Sequence, residues 1–498
     1  MYRIAGCLGG CDTEKVDNML EGMLKEGSNQ KKLYTSNNVT LGCNKSAMKD
    51  LGDFNQPLFN EDHTIALVFD GEIYNYDELK AWLLSRGHEF KTDYDGEVLI
   101  HLYEELGSDM VSKLDGVFAF AISGPEGFFA ARDVLGARPL YYSEDKSGKM
   151  YFASEIKALL NIAENIREFP NGYYYTDKEG FFQYDRICAA EVKESNLEKL
   201  VDDLDRRLNE AVKKRLMSDK PVGVFLSGGL DSSLIAAITR QYVKGELHSF
   251  AVGVKGSDDL YYSQMVSDFL GTTHHVEEYS KEDVIDILPD VIYHLESFDP
   301  ALVRGSVATY FAARLASRYV QVVLIGEGAD ELFGGYEYLK APSVTNLTEE
   351  LLTLINSLHN TGFQRVERIT AAHSIKARAP FLDREVINYA FSLDEKYKIY
   401  GEEKIEKWIV RKVAERYLPK EIAWRKKAKF AHGTGTSGIL SEWVKNDEVV
   451  KEAIDTDLAK IPSREERVYF SIFKKHFPNL KNLELIGRTR SIVPKEIV

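Results

Sequence analysis

Three stretches of this chain carry residues whose types and spacing suit phosphate chemistry. In Leu226-Ser227-Gly228-Gly229-Leu230-Asp231-Ser232-Ser233, two glycines precede an aspartate and two serines. Glycine lets the backbone turn tightly and approach a ligand closely. The cap-type side chains open a helix whose positive end and free N–H groups gather an anion, above all phosphate or pyrophosphate. No GK[ST] follows the glycines, so this is not a Walker A loop. In Ile325-Gly326-Glu327-Gly328-Ala329-Asp330-Glu331 a glycine turn carries three acids at the carboxyl end of an apolar run, where open α/β sheets bind ligands. The third stretch is basic, Arg425-Lys426-Lys427 with Lys429, and its frame of Trp424 and Phe430 predicts an ordered loop over the site. Between them, Arg304 has the charge and the fork to hold a carboxylate.

The elements that must position these groups read as an α/β arrangement. Residues 222–226 form an apolar run without alternation, as expected of a strand covered on both faces in a parallel sheet. Leu234, Ile235, Ile238 and Tyr242 follow at helical spacing. Residues 247–254 and 322–326 read as further strands, and 197–215, 259–270 and 281–297 as helices. His274 and His275 are adjacent and point apart on any regular element, which argues against a metal pair. The first part of the chain differs. Short strands at 65–69, 116–122, 127–132, 140–142 and 150–153 surround helical periods near 76–86 and 96–106. This pattern predicts an α+β, sheet-on-sheet domain over 1–190, then an α/β domain with a parallel sheet over 195–498.

Composition sets outer limits. At 498 residues with 44% apolar and 28% charged, the chain suits two or three globular domains. A net charge of −15 opposes nonspecific binding to nucleic acid or to an anionic membrane. No apolar run approaches a membrane span, no leader pattern opens the chain, and four cysteines without a CxxC pair suit a reduced compartment. A cytoplasmic protein with neither nucleic acid nor membrane as partner is expected.

SGGLDSS resembles the pyrophosphate loop of ATP pyrophosphatases, which activate a carboxyl or amide oxygen as an adenylate. The first half narrows the resemblance. Asp70-Gly71-Glu72-Ile73-Tyr74-Asn75, Leu114-Asp115-Gly116-Val117-Phe118-Ala119-Phe120, Arg132-Asp133-Val134-Leu135-Gly136-Ala137-Arg138-Pro139-Leu140-Tyr141-Tyr142 and Phe152-Ala153-Ser154-Glu155-Ile156-Lys157-Ala158-Leu159 are similar to the N-terminal nucleophile glutaminase domain of asparagine synthetases. The likeness covers nearly the whole chain, is strongest from 222 to 435, and implies that 371–383 and Lys404-Ile405-Glu406-Lys407-Trp408 belong to the helical part of the second domain. It implies ATP and Mg²⁺ as cofactors. ATP and pyrophosphate would lie along Leu226, Ser227, Gly228, Gly229, Asp231, Ser232, Val252, Ile325 and Gly326, with Asp231 and Asp330 holding the metal. Arg304 and Glu327 would receive aspartate, and Glu327 and Lys427 would be catalytic. The carboxylate of Glu327 also separates the chain from β-lactam synthetases, which carry a tyrosine at that place.

The chain departs from the family where glutamine is hydrolysed. The family's nucleophilic cysteine is Tyr2 here, within Tyr2-Arg3-Ile4-Ala5-Gly6, and a phenol of ordinary pKa near ~10 replaces a thiolate poorly. The family's His-Arg-Gly-Pro-Asp stretch is replaced by Lys25-Glu26-Gly27-Ser28-Asn29. The arginine that grips the glutamine carboxylate aligns with Lys45, and NGE reads Asp70-Gly71-Glu72, while Asp95 still matches. Lys45, Asp70, Gly71, Glu72 and Asp95 are therefore expected to form a remnant glutamine site. Cys7 is expected to be a small buried residue of the first strand.

These readings converge on an aspartate–ammonia ligase that forms β-aspartyl-AMP and releases AMP and pyrophosphate. Aspartate, ATP and ammonia are its expected small-molecule partners; a second copy of the chain and a separate glutaminase are further candidates. Three alternatives stay open: an adenylating amide ligase for another carboxylate, a glutamine-dependent enzyme with a different nucleophile, and a non-catalytic nucleotide sensor.

Overall fold

The computed structural model describes residues 2–23, 30–36, 38–45, 56–190, 196–216, 221–427, 430–446 and 461–490. Two compact units emerge, Met1–Arg186 with Phe477–Leu485, and Ile187–His476 with Ile486–Val498. The expected replacement at Lys25 to Asn29 lies outside the described residues, as does Lys429.

The first unit is built on two six-stranded sheets. Its strands are β1 Tyr2–Leu8, β2 Gln30–Thr35, β3 Val39–Lys45, β4 Leu58–Phe59, β5 Ala66–Ile73, β6 Gly116–Gly124, β7 Gly127–Arg132, β8 Tyr141–Glu144, β9 Met150–Ala153, β10 Arg167–Glu168, β11 Tyr173–Thr176 and β12 Gly180–Gln183. One sheet has the order β10-β8-β9-β1-β3-β2 and the other β12-β11-β7-β6-β5-β4. The apolar runs of β5, β6 and β7 lack polar alternation because both faces are covered. Ala66, Val68, Ala119, Ala121, Phe128 and Ala130 point into a core shared with Ile4, Leu41 and Cys43 of the opposite sheet. Leu67, Phe69, Phe118, Phe120, Ile122 and Phe129 point the other way, onto the helices Tyr76–Leu84 and Glu97–Leu106. Alanines dominate the inter-sheet side of these strands, with Phe128 the large exception, and large residues dominate the helix side.

Part of the Arg132 to Tyr142 motif serves this framework. Both Asp133 carboxylate oxygens accept backbone N–H groups, from Leu135 and Ala137 on one and Phe118 and Arg138 on the other. The fully buried Arg132 donates to the carbonyls of Gly136, Arg138 and Phe169 and to Glu168.

The second unit holds a five-stranded sheet of order β15-β14-β13-β16-β17. The strands are β13 Val222–Phe225, β14 His248–Gly253, β15 Thr273–Glu278, β16 Val322–Leu324 and β17 Lys376–Arg378. Every pairing is parallel. The order runs outward from β13 in one direction through β14 and β15, and in the other through β16 and β17. The reversal point lies between β13 and β16, where such sheets bind ligands beyond the strands' carboxyl ends. β17 is not expected from the sequence, because three residues are too few to show a period inside a helical region. The expected helix over 281–297 is two, Lys281–Asp286 and Leu288–Leu295, with Pro289 at the start of the second. No helix among the described residues is long and apolar enough to cross a membrane.

Candidate active site

The loops after β13 and β16 meet at the reversal point. After β13, Gly228 turns at φ 67° and leads into the helix Leu230–Tyr242. A side chain at Gly228 would stand 2.4 Å from the backbone and Cβ of Tyr262, so position and conformation both require glycine. The Ser227 and Ser232 hydroxyls are 3.0 Å apart, and Gly229 N–H donates to Ser227 Oγ at 3.3 Å, which closes the loop. After β16, Gly326 packs against the other loop: a Cβ there would lie 2.8 Å from the backbone of Asp231 and Ser232. Ile325 N–H donates to the carbonyl of Arg378 at 3.0 Å, tying this turn to β17. Leu226 and Val252 are buried at the carboxyl ends of β13 and β14.

This close approach sets two carboxylates and two ammonium groups together. Lys407 Nζ reaches Asp231 Oδ2 and Asp330 Oδ1, each at 2.5 Å. Lys427 Nζ lies 2.5 Å from Asp330 Oδ2 and 3.8 Å from Asp231 Oδ2. Burial works against the Asp330 charge, but Lys407 and Lys427 hold its carboxyl well below the usual carboxylate range. Burial likewise pulls on Lys427, and Asp330 and Asp231 raise it above an ordinary lysine. Asp231 Oδ1 is buried and accepts no hydrogen bond from the described residues. Two aspartates with a spare buried oxygen, beside a phosphate-type loop, are a donor set that fits Mg²⁺.

Sequence reading missed Lys407. It starts the helix Trp408–Ala414 in a left-handed conformation, φ 54°, and is almost wholly buried. It lies in the family-like stretch Lys404–Trp408, directly ahead of an apolar helix start, but among the charges of residues 402–407 its type alone gave it no role. Arg365 was also missed. It donates to Glu327 Oε2 at 2.6 Å and to Thr309 Oγ1 at 2.9 Å. Gly362 leaves room beside Glu327, since a Cβ there would sit 2.5 Å from Oε1. Glu331 points elsewhere, accepting from Tyr336, and burial with the Glu327 and Asp330 charges pushes its carboxyl up to about 7.

Arg304 is already engaged. Its Nε donates to Glu465 Oε1 at 2.7 Å and its Nη2 to the other oxygen, while Tyr469 donates to the same carboxylate. Arg425 lies over the ring of Tyr262 at 3.8 Å and donates to the Ser227 carbonyl at 3.3 Å, which fixes the basic stretch against the loop. His274 and His275 lie on β15 with separate partners, Ser249 and His248.

Two family models match this chain: Asparagine synthase over residues 203–360 and 342–470, and Glutamine amidotransferase domain over residues 1–185. The glutamine-hydrolysing asparagine synthetase of Sandersonia aurantiaca is 39% identical over 88% of this chain and 88% of its own. Asparagine synthetase B of Escherichia coli (strain K12) is 37% identical over 92% of this chain and 87% of its own. Glutamine-hydrolysing asparagine synthetase 1 of Arabidopsis thaliana is 40% identical over 90% and 80%. The chain belongs to the asparagine synthetase family. It is thus a carbon–nitrogen ligase carrying an amidotransferase-type first half, as the motifs led one to expect.

In the first unit, Tyr2, expected at the nucleophile's place, opens β1. Tyr2 and Lys45 face each other in the β1–β3 register. Burial, then the charges of Cys43 and Asp95, pushes the Tyr2 phenol up to about 12, so it stays protonated at neutral pH. Its ring packs on Tyr94 at 5.6 Å. The Asp70 carboxylate accepts from Arg3 at 3.0 Å. Gly71 and Glu72 are buried in β5, and Asp95 accepts from the Ile73 N–H at 2.8 Å. Cys7 is fully buried in β1, and burial raises its thiol.

Proposed function

We propose that this chain makes asparagine from aspartate, ATP and ammonia. The observation that carries the reading is the Asp231–Lys407–Asp330–Lys427 cluster, set at the sheet's reversal point beside a loop shaped for pyrophosphate. In the first step an oxygen of the aspartate β-carboxylate attacks the α-phosphorus of ATP. The bond from that phosphorus to the bridging oxygen breaks, and pyrophosphate leaves with the electron pair. Backbone N–H groups of 227–232 and the start of the Leu230–Tyr242 helix would take up the charge on the leaving group. Asp231 and Asp330 would hold Mg²⁺, which supplies charge neutralisation to the phosphates. Lys407 and Lys427 would then turn from the aspartates to phosphate oxygens.

In the second step ammonia attacks the acyl carbon and AMP leaves. Glu327, steadied by Arg365, would accept the proton that the new ammonium gives up. Arg304, whose fork already grips a carboxylate in Glu465, would take the aspartate carboxylate by exchange.

The relatives are named as glutamine-hydrolysing enzymes. A protonated phenol at residue 2 and an Arg3-bound carboxylate at residue 70 favour ammonia, or ammonia from a separate glutaminase, over glutamine. The test is asparagine and pyrophosphate formation by the purified protein with ATP, Mg²⁺ and aspartate, given ammonium or glutamine. Equal amounts of asparagine and pyrophosphate with ammonium alone are expected. Turnover with glutamine would overturn the nitrogen source, and absence of aspartate-dependent pyrophosphate would overturn the substrate.

A further inference from the structure

The first unit carries a second cluster of ligand-type side chains that the ligase chemistry does not use. Glu61 lies in the turn between β4 and β5, His88 in the connection after the helix Tyr76–Leu84, and His101 and Glu104 one turn apart on the helix Glu97–Leu106. One ligand atom from each converges on a common centre, all within 4.8 Å of one another. Both imidazoles present Nδ1. His101 Nδ1 is 3.2 Å from Glu104 Oε2 and 3.6 Å from Glu61 Oε1, and His88 Nδ1 is 3.7 Å from each of the same two oxygens.

We infer that Glu61, His88, His101 and Glu104 form a binding site for a divalent transition-metal ion, with zinc the best match. Tetrahedral zinc with bonds of about 2.0–2.1 Å to nitrogen and oxygen sets its ligand atoms about 3.3–3.4 Å apart. The four nitrogen–oxygen separations bracket that value, and the wider separations, up to the 4.8 Å limit, would close by side-chain rotation. Two imidazoles with two carboxylates select zinc over magnesium or calcium, which prefer oxygen alone.

The surroundings of the four residues point the same way. His88 Nε2 faces Glu105 Oε1 at 3.2 Å, and the buried His101 Nε2, which has no hydrogen bond among the described residues, looks at Glu97 Oε1 across 4.0 Å. Each histidine has a carboxylate on the side of its outer nitrogen, the arrangement found behind metal-bound histidines, with Nδ1 turned toward the centre. At the centre both Nδ1 atoms lie beside the same two carboxylate oxygens, and a dication there would take all four atoms as ligands. The ligating carboxylates are also supported: Glu104 Oε1 accepts from Asn60 Nδ2 at 2.8 Å, and Glu61 Oε1 from the Glu89 N–H at 3.1 Å. Four protein ligands fill a tetrahedron, so the ion would be structural. It would pin the 61 turn, the 88 connection and the Glu97–Leu106 helix over the core containing Leu79, Leu83, Val98 and Leu102.

The experiment uses the full chain without a histidine tag, in excess Mg²⁺ so that oxygen-only sites are filled. Zinc is titrated by calorimetry, Co²⁺ serves as a spectroscopic substitute, and Tm is followed with and without zinc. One zinc per chain is expected, with a tetrahedral Co²⁺ visible band and a Tm raised by zinc. His88→Ala and Glu61→Gln change partly exposed positions and keep the fold. Each should weaken zinc binding at least ~100-fold and abolish the rise in Tm, leaving ammonia-dependent turnover unchanged. Absence of stoichiometric binding by the unaltered chain, or binding undiminished in both variants, would overturn the site.

Discussion

At the residue scale, the charges around Asp231 and Asp330 are balanced by two lysines, of which Lys407 is the more buried. Replacing it, as in Lys407→Met, leaves two like charges facing each other with one ammonium instead of two. Pyrophosphate release should fall about 10²–10³-fold, as for loss of one group that stabilises transition-state charge. The half-saturating Mg²⁺ concentration should fall as well, because a competing cation has gone. An unchanged Mg²⁺ dependence would remove Lys407 from the site. Tyr2→Cys tests the other half of the chain. It should not restore glutamine hydrolysis, since Arg3 still holds Asp70 and Lys45, expected in place of the family's arginine, is unchanged. Glutamate release from glutamine is the readout. Lys398 offers a stability test. It is fully buried, its Nζ has no hydrogen bond among the described residues, and burial pulls its ammonium down to about 8. A lysine depressed in the folded state contributes stability above its unfolded value of 10.5, which is lost as pH falls through about 8. At pH 7 that loss is about 3 kcal/mol, and Lys398→Met should recover most of it, with the gain vanishing near pH 10.5. Equal denaturation midpoints at pH 7 would contradict this.

At the element scale, what was legible in the sequence followed from how each element is covered. The apolar runs before SGGLDSS and GEGADE signalled strands buried on both faces, and they are β13 and β16 of the parallel sheet. β17 was not legible, because its three residues are fixed by pairing to β16 and show no pattern of their own. Lys407 and Arg365 were hidden for a related reason: a lysine or arginine in sequence looks the same facing solvent or facing a carboxylate, and only packing decides. The His88–His101 cluster was equally hidden, since its ligands come from three separate elements. The loop between β13 and its helix yields a paired prediction. Gly228→Ala forces an L-residue to φ 67° and against Tyr262, costing at least about 1–2 kcal/mol, so Tm and pyrophosphate release should both drop. Gly229 has φ −78° and meets only Ser227 Oγ, at 3.3 Å. Gly229→Ala should therefore leave Tm nearly unchanged while weakening ATP binding, because its methyl occupies space where phosphate approaches the backbone. Equal loss of Tm in both variants would mean that the loop's glycines serve folding alone.

At the scale of the whole molecule, the two halves differ in what their expected site residues meet. The ligase half joins its predicted acids and lysine into one charged cluster, while the amidotransferase half keeps its sheets and inter-sheet core around a neutral phenol. Motif matching reads both halves as intact folds; only the chemistry of single positions tells them apart. Nitrogen would then enter as ammonia itself, and the consequence is a pH signature. Ammonium has no lone pair, so only the deprotonated fraction attacks the acyl carbon. The KM for total ammonium should fall about tenfold per pH unit up to ammonium's own pKa, while KM for aspartate stays level. An enzyme fed by its own glutaminase half would show neither this slope nor an absolute need for added ammonium. A KM for ammonium that stays flat from pH 7 to 9 would mean that the site binds the cation and deprotonates it there, transferring that task to Glu327.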